Sequence, residues 1–207
     1  AANLLSETSD TARLDAELLM AEALEMLRSD MLLRGSDLEV PPRFERLVER
    51  RMRHEPIAYI LGHQEFYGRE FLVTPDVLIP RGDSETIVAT ALEHCPDQAR
   101  ILDLGTGSGA LLLTILAERP DTSGTGVDVS LGAVSIAAAN AARLGVAERT
   151  HILHRSWLDA DWTEGLEPFD LIVANPPYVE IDAQLAPSVR EYEPVQALFA
   201  GSDGLDD

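Results

Sequence analysis

Lysine is absent from this 207-residue chain, cysteine occurs once, and no apolar run is long enough to cross a bilayer. The lone Cys95 cannot form an intramolecular disulfide and has no cysteine or histidine at metal-ligand spacing. That argues against an oxidising compartment and against structural zinc, and no metal site is expected. Cys95 reads as a buried or half-buried thiol. The longest apolar stretches, such as 110–117 and 136–139, fall far short of the roughly 20 residues a transmembrane helix needs, and no basic segment followed by an apolar run opens the chain. A cytoplasmic monomer without membrane contact is expected. Positive charge is scarce: 16 arginines face 36 acids, a formal charge of −20. Residues 1–81 carry 10 arginines and 15 acids, and residues 82–207 carry 6 and 21. Such a field repels nucleic-acid phosphates and suits a basic protein partner, so no direct nucleic-acid substrate is expected.

What the chain does have is 45% hydrophobic residues, ordinary for one or two soluble globular domains. Apolar positions from Thr11 to Leu27 recur with a 3.6-residue period behind a Ser9/Asp10 cap, which predicts one amphipathic helix. A second helix is predicted from Pro42 to before Pro56, burying Phe44, Leu47 and Val48. Its other face carries Arg43, Arg46, Arg50 and Arg53, a stripe that reads as a solvated face or as a docking surface. The runs Glu65-Phe66-Tyr67 and Glu70-Phe71-Leu72-Val73 around Gly68-Arg69 predict a β-hairpin. Beyond Pro80, helices over 83–94, 109–118 and 130–143 alternate with strands over 100–104, 124–128, 151–153 and 170–174. That alternation predicts an α/β fold with a mostly parallel, Rossmann-like sheet. The expected domains are a helical docking domain over 1–56, a linker with the hairpin over 57–80, and a cofactor-binding catalytic domain over 81–207.

Gly105-Thr106-Gly107-Ser108-Gly109 follows the strand Ile101-Leu102-Asp103-Leu104 directly. Glycines there let the backbone turn sharply and approach a ligand at the carboxyl end of a strand. The spacing differs from the dinucleotide fingerprint, which suits a nucleoside without a pyrophosphate. Asp128 ends the second strand, 19 residues beyond Gly109. It can accept hydrogen bonds from both ribose hydroxyls, or it can cap the helix that follows. Trp157, just past the third strand, can stack on an adenine ring or belong to the core.

The strand Phe169 to Ala174 runs into Asn175-Pro176-Pro177-Tyr178. Two prolines end the strand in a rigid extended turn that offers acceptors. The Asn175 side-chain oxygen and the Pro176 carbonyl can each take one hydrogen of a planar NH2 group, while Tyr178 covers the face of that plane. Held so, the nitrogen can face a methyl carbon at about 3 to 3.5 Å. A plain strand-ending turn is the simpler alternative.

These motifs together resemble the class I S-adenosylmethionine-dependent methyltransferases, and within them the protein-(glutamine-N5) methyltransferases of peptide chain release factors. Glu55 to Gly62, Glu65 to Gly68 with Phe71 and Val73, and Val77 to Arg81 look like that family's linker hairpin. Tyr192-Glu193-Pro194, Ala197-Leu198 and Gly201 to Leu205 also match. The resemblance implies S-adenosyl-L-methionine as cofactor, bound by Gly105, Thr106, Gly107, Ser108, Gly109, Asp128, Trp157 and Asn175. It implies that Asn175, Pro176, Pro177 and Tyr178 bind the glutamine of the release factor's Gly-Gly-Gln loop, with the helical domain helping to dock that partner. The sequence departs from the family's pattern at Gly82 and at Ser156. It also ends about 30 residues past the acceptor motif, where the family's seven-stranded sheet implies three more strands, so a fragment with the fourth strand as an open edge is expected.

Overall fold

The computed structural model describes residues 1–35 and 38–206, and these fall into two compact units. Ser36, Asp37 and Asp207, which belong to the expected 1–56 and 81–207 ranges, lie outside the described residues.

The first unit comprises residues 1–62 and 185–192. It is helical, with α1 Ala2–Leu5, α2 Ala12–Ala23, α3 Arg28–Arg34, α4 Pro42–Met52, α5 Ile57–Leu61 and the short α9 Pro187–Arg190. The predicted helix over Thr11 to Leu27 ends early: α2 stops at Ala23, and a separate helix, α3, starts only at Arg28. Leu24 closes α2, and Glu25 takes a left-handed φ of 53°, a conformation a helix cannot carry. The apolar period runs on past the break because Met31 of α3 is also buried. Leu5, Leu19, Leu47, Val48 and Ile60 form the core, with Phe44 packed at its edge.

That core contains one charge pair. Asp15 is 2% exposed and accepts from the hydroxyls of Ser9 at 2.8 Å and Thr11 at 2.9 Å, and from Arg51 Nε at 2.7 Å. The two hydroxyls therefore serve this carboxylate rather than the helix end, and α2 starts without a side-chain cap. The arginine stripe is partly neutralised within the unit, because Arg43 pairs with Glu22 and Arg50 with Glu55.

The second unit comprises residues 63–184 and 193–206 of the described chain. It opens with the antiparallel hairpin of β1 His63–Phe66 and β2 Arg69–Leu72. Its two-residue turn is Tyr67-Gly68, both with positive φ, the twist that matches paired strands. Phe66 and Phe71 meet edge to face at 6.1 Å and enter the same core as α6 Glu85–His94, β3 Arg100–Leu104 and α7 Ala110–Glu118. With β4 Ser123–Asp128, α8 Leu131–Arg143, β5 Thr150–His154 and β6 Leu171–Ala174, they complete an α/β unit. Its four strands are parallel, as the alternation of patterns predicts, and lie in the order β5-β4-β3-β6. Within residues 175–206 no further strand joins the sheet; the strand-like pairing there is an isolated parallel bridge between Val179 and Phe199. β6 is thus an edge among the described residues, with Ile172 59% exposed. No helix among the described residues is long and apolar enough to cross a membrane.

Removing one member of a buried ion pair strands the other, at about 3–5 kcal/mol. Asp15→Ala is expected to destabilise the helical unit by about that amount, read by denaturant unfolding followed in the far-ultraviolet circular dichroism. Replacing the pair together, Asp15→Leu with Arg51→Met, is expected to recover most of the loss.

Candidate functional site

The carboxyl ends of β3, β4 and β6 converge on one cleft of the second unit, where open parallel sheets bind ligands. After β3 the chain folds back over β4, because the Gly105 and Thr106 N–H groups both donate to the Val127 carbonyl at 3.0 Å. Gly105 has a φ of 70°, and a Cβ there would come within 3.3 Å of the Trp157 ring. The Trp157 indole therefore roofs the loop and lines the cleft as a half-buried side chain. Gly109 accepts the left-handed conformation that starts α7.

Asp128 is 8% exposed. One carboxylate oxygen accepts from Gly107 N–H at 2.8 Å and the other from Ser130 N–H at 2.9 Å. Each oxygen keeps a lone pair for a further donor. The cap of α8 is Ser130, whose hydroxyl accepts from Ala133 N–H at 3.2 Å, so the capping alternative for Asp128 falls to its neighbour.

Asn175, Pro176 and Pro177 lie along the same cleft. Among the described residues, neither the Asn175 amide nor the Pro176 carbonyl carries a protein hydrogen bond, so both acceptors are unspent. The loop is held from below: Val179 N–H donates to Leu198 O at 2.9 Å, Ala200 N–H to Val179 O at 3.0 Å, and Ile181 N–H to Gly201 O at 3.0 Å. Gly204 lies so close that a Cβ would sit 2.6 Å from the Tyr178 carbonyl oxygen. The Tyr178 ring itself is 71% exposed.

Residues 1–62 match the model of the PrmC N-terminal domain, and residues 83–192 match that of the methyltransferase small domain. A release factor glutamine methyltransferase of Neisseria gonorrhoeae is 42% identical over 95% of this chain and 72% of its own length. Its namesake in Geobacter sulfurreducens is 42% identical over 95% and 69%. The chain belongs to the release factor glutamine methyltransferase family. Among solved structures, a SAM-dependent methyltransferase from Thiobacillus denitrificans in complex with S-adenosyl-L-homocysteine is 28% identical, covers 59% of this chain and 46% of its own, and has a TM-score of 0.38.

In this methyltransferase the structure brings Gly105, Thr106, Gly107, Ser108, Asp128, Trp157, Asn175, Pro176 and Pro177 to one cleft. Gly109 and Tyr178 do not line it. Gly109 shapes the start of α7, and the Tyr178 ring stands in solvent. Asp103 was missed. It is 1% exposed and lines the cleft; Oδ2 accepts from the Thr106 hydroxyl at 2.7 Å while Oδ1 has no partner. An acid inside the apolar run Ile101 to Leu104 was the available signal, since a buried carboxylate is costly unless something answers it. Burial pushes Asp103 up from an ordinary 3.8 to about 7, the Thr106 hydrogen bond opposing and the Asp128 charge adding. An orphaned buried oxygen beside a glycine loop roofed by an indole fits the ammonium-bearing nucleoside that the family resemblance implies.

The folded state holds the Asp103 proton to a higher pH than the unfolded chain does. Stability therefore falls as pH rises from about 4 to about 7. Asp103→Asn, which cannot ionise, is expected to flatten that part of the melting-temperature profile and to melt several degrees above the parent at pH 8. Thermal melts across this range check it; a profile as steep as the parent's would assign the slope elsewhere.

Proposed function

We propose that this enzyme transfers a methyl group from S-adenosylmethionine to the side-chain amide nitrogen (N5) of the glutamine in the Gly-Gly-Gln motif of a peptide chain release factor. The observation that carries the reading is the pair of unspent acceptors, Asn175 Oδ1 and Pro176 O, on a buttressed loop in the cleft that also holds Asp103 and Asp128. The names of the relatives support the protein target, and the acidic second half of the chain suits a basic partner.

The cofactor supplies an electrophilic methyl on a sulfonium that leaves readily. The rest falls to the chain. Asp128 accepts from the ribose hydroxyls, Trp157 packs on the adenine, and the Gly105 to Gly109 turn lets the backbone approach. An amide nitrogen is a weak nucleophile because its lone pair is delocalised into the carbonyl. Asn175 and Pro176 each hold one of its hydrogens, and Tyr178 closes over the amide plane when the target arrives. Both contacts orient the nitrogen, so positioning and electrostatics do most of the catalysis without a strong base. As the N–C bond forms and the C–S bond breaks, the nitrogen becomes strongly acidic and gives its surplus proton to solvent. The helical unit, residues 1–56 in the expected division, serves to dock the release factor.

Incubation with labelled cofactor and an intact release factor is expected to place one methyl on that glutamine. Methylation of DNA or ribosomal RNA instead would overturn the assignment in favour of an amino-methyltransferase of nucleic acids. Asn175→Ala is expected to lower the rate by about 10² to 10³, the usual loss for one preorganised hydrogen-bonding group. It should spare cofactor affinity more than Asp128→Ala does. Calorimetry giving the same loss of affinity in both variants would make Asn175 chiefly a cofactor contact.

A further inference from the structure

Four ionisable side chains line the cleft: Asp76, Asp103, Asp128 and Arg81. Arg81 is the one cation among the described lining residues, in a cleft with three acids and a chain of net charge −20. Its place is fixed by a partner far along the sequence. Arg81 Nη2 donates to Glu193 Oε1, and Glu193 Oε2 accepts from the Ile79 N–H at 3.2 Å. The Glu193 side chain is 2% exposed and that of Arg81 41%. The buried carboxylate thus holds one arm of the guanidinium while the rest reaches solvent. A guanidinium has five N–H donors arranged as a fork, and among the described residues Arg81 Nε and Nη1 have no protein acceptor.

A cleft that admits an amino acid must answer both of its charges. The orphaned Asp103 Oδ1 suits the ammonium. For the carboxylate, Arg81 is the one cationic side chain among the described lining residues, whereas the three acids repel it. We propose that Arg81 reads the carboxylate at the amino-acid end of the methyl donor, with Glu193 as the positioning residue that presents it. This rests on S-adenosylmethionine being the cofactor. A two-point contact between guanidinium and carboxylate is directional as well as charged, which lysine cannot reproduce.

The competing possibility is that Arg81 does no more than neutralise Glu193 and clamp the wall formed by Val77 to Arg81. Titration calorimetry with two ligands separates the two. One is S-adenosylhomocysteine and the other is its decarboxylated analogue, which lacks only the carboxylate. The parent is expected to prefer S-adenosylhomocysteine at least tenfold. Arg81→Gln should weaken that ligand at least tenfold and leave the analogue within twofold, so that the preference collapses. Arg81→Lys should retain part of it. Glu193→Gln should lower the same preference without a matching loss for the analogue, a pattern that simple loosening of the wall would not produce.

Equal weakening of both ligands in Arg81→Gln would overturn the proposal in favour of the clamp. Equal binding of both ligands by the parent would overturn it without any variant having to fold. A parent that binds neither would overturn the cofactor reading and this proposal with it, an outcome distinct from the other two.

Discussion

A carboxylate with one matched and one unmatched oxygen sits at the end of β3, and the cleft is organised around containing it. Asp103 is 1% exposed, and the Thr106 hydroxyl answers one of its oxygens. For that hydroxyl to reach, the chain must reverse immediately after the strand. It does so with Gly105 and Thr106 both bonded to Val127 O. The reversal brings the Gly107 N–H to within 2.8 Å of Asp128, so the carboxylates ending two adjacent strands are tied into one hydrogen-bonded run. Such an arrangement costs folding free energy, because the remaining oxygen is kept from water. It also means a hydrogen-bonding group is in place before any ligand arrives, the preorganisation that makes electrostatic stabilisation effective.

A second tie comes from behind the loop. Asn140 of α8 is fully buried, and its side-chain amide works like a piece of backbone. It accepts from Leu72 N–H at 2.8 Å and donates to Leu72 O at 3.1 Å and Ser108 O at 2.9 Å. The hairpin and the glycine loop are thereby fixed to one helix. This gives the hairpin, which reads in the sequence as a connector, a share in holding the glycine loop, alongside the contribution of Phe66 and Phe71 to the core.

The parts visible in the sequence are those whose cause is local. Buried parallel strands read as short apolar runs, and helices such as α4 and α8 announce themselves by period and by Pro42 or Ser130. That Gly105 to Ser108, Asp128 and Asn175 come together in one cleft was legible, because ligands meet such sheets at strand ends. The break in the first predicted helix was not, since apolar spacing persists across Glu25 while the backbone reverses there. Asn140 and Glu193 escaped for a different reason: their partners lie 68 and 112 to 114 residues away, and no window of sequence contains both ends. Tyr192-Glu193-Pro194 could be noticed as a motif, but its meaning depends on Ile79 and Arg81.

The acceptor loop shows how much of a motif's chemistry lies outside the motif. Two prolines restrict Asn175 to Tyr178, yet a restricted loop still pivots unless both ends are held. Upstream, β6 pairs with β3; downstream, Val179 and Ile181 bond to the segment 198–201, and Gly204 packs under Tyr178 where no side chain would fit. This anchorage leaves the Asn175 and Pro176 acceptors fixed and the Tyr178 ring exposed. Fixed acceptors suit any planar NH2 group, amide or adenine alike, so in the proposed function this loop orients the nitrogen without choosing the target. The choice then falls to what surrounds them: the exposed Ile181 and Val195, on segments leading out of the loop and the cleft wall, and an acidic half-chain that disfavours phosphates. In the function proposed above, apolar contact and negative charge favour a basic protein loop over a nucleic-acid strand on grounds independent of the hydrogen bonds that would orient the nitrogen.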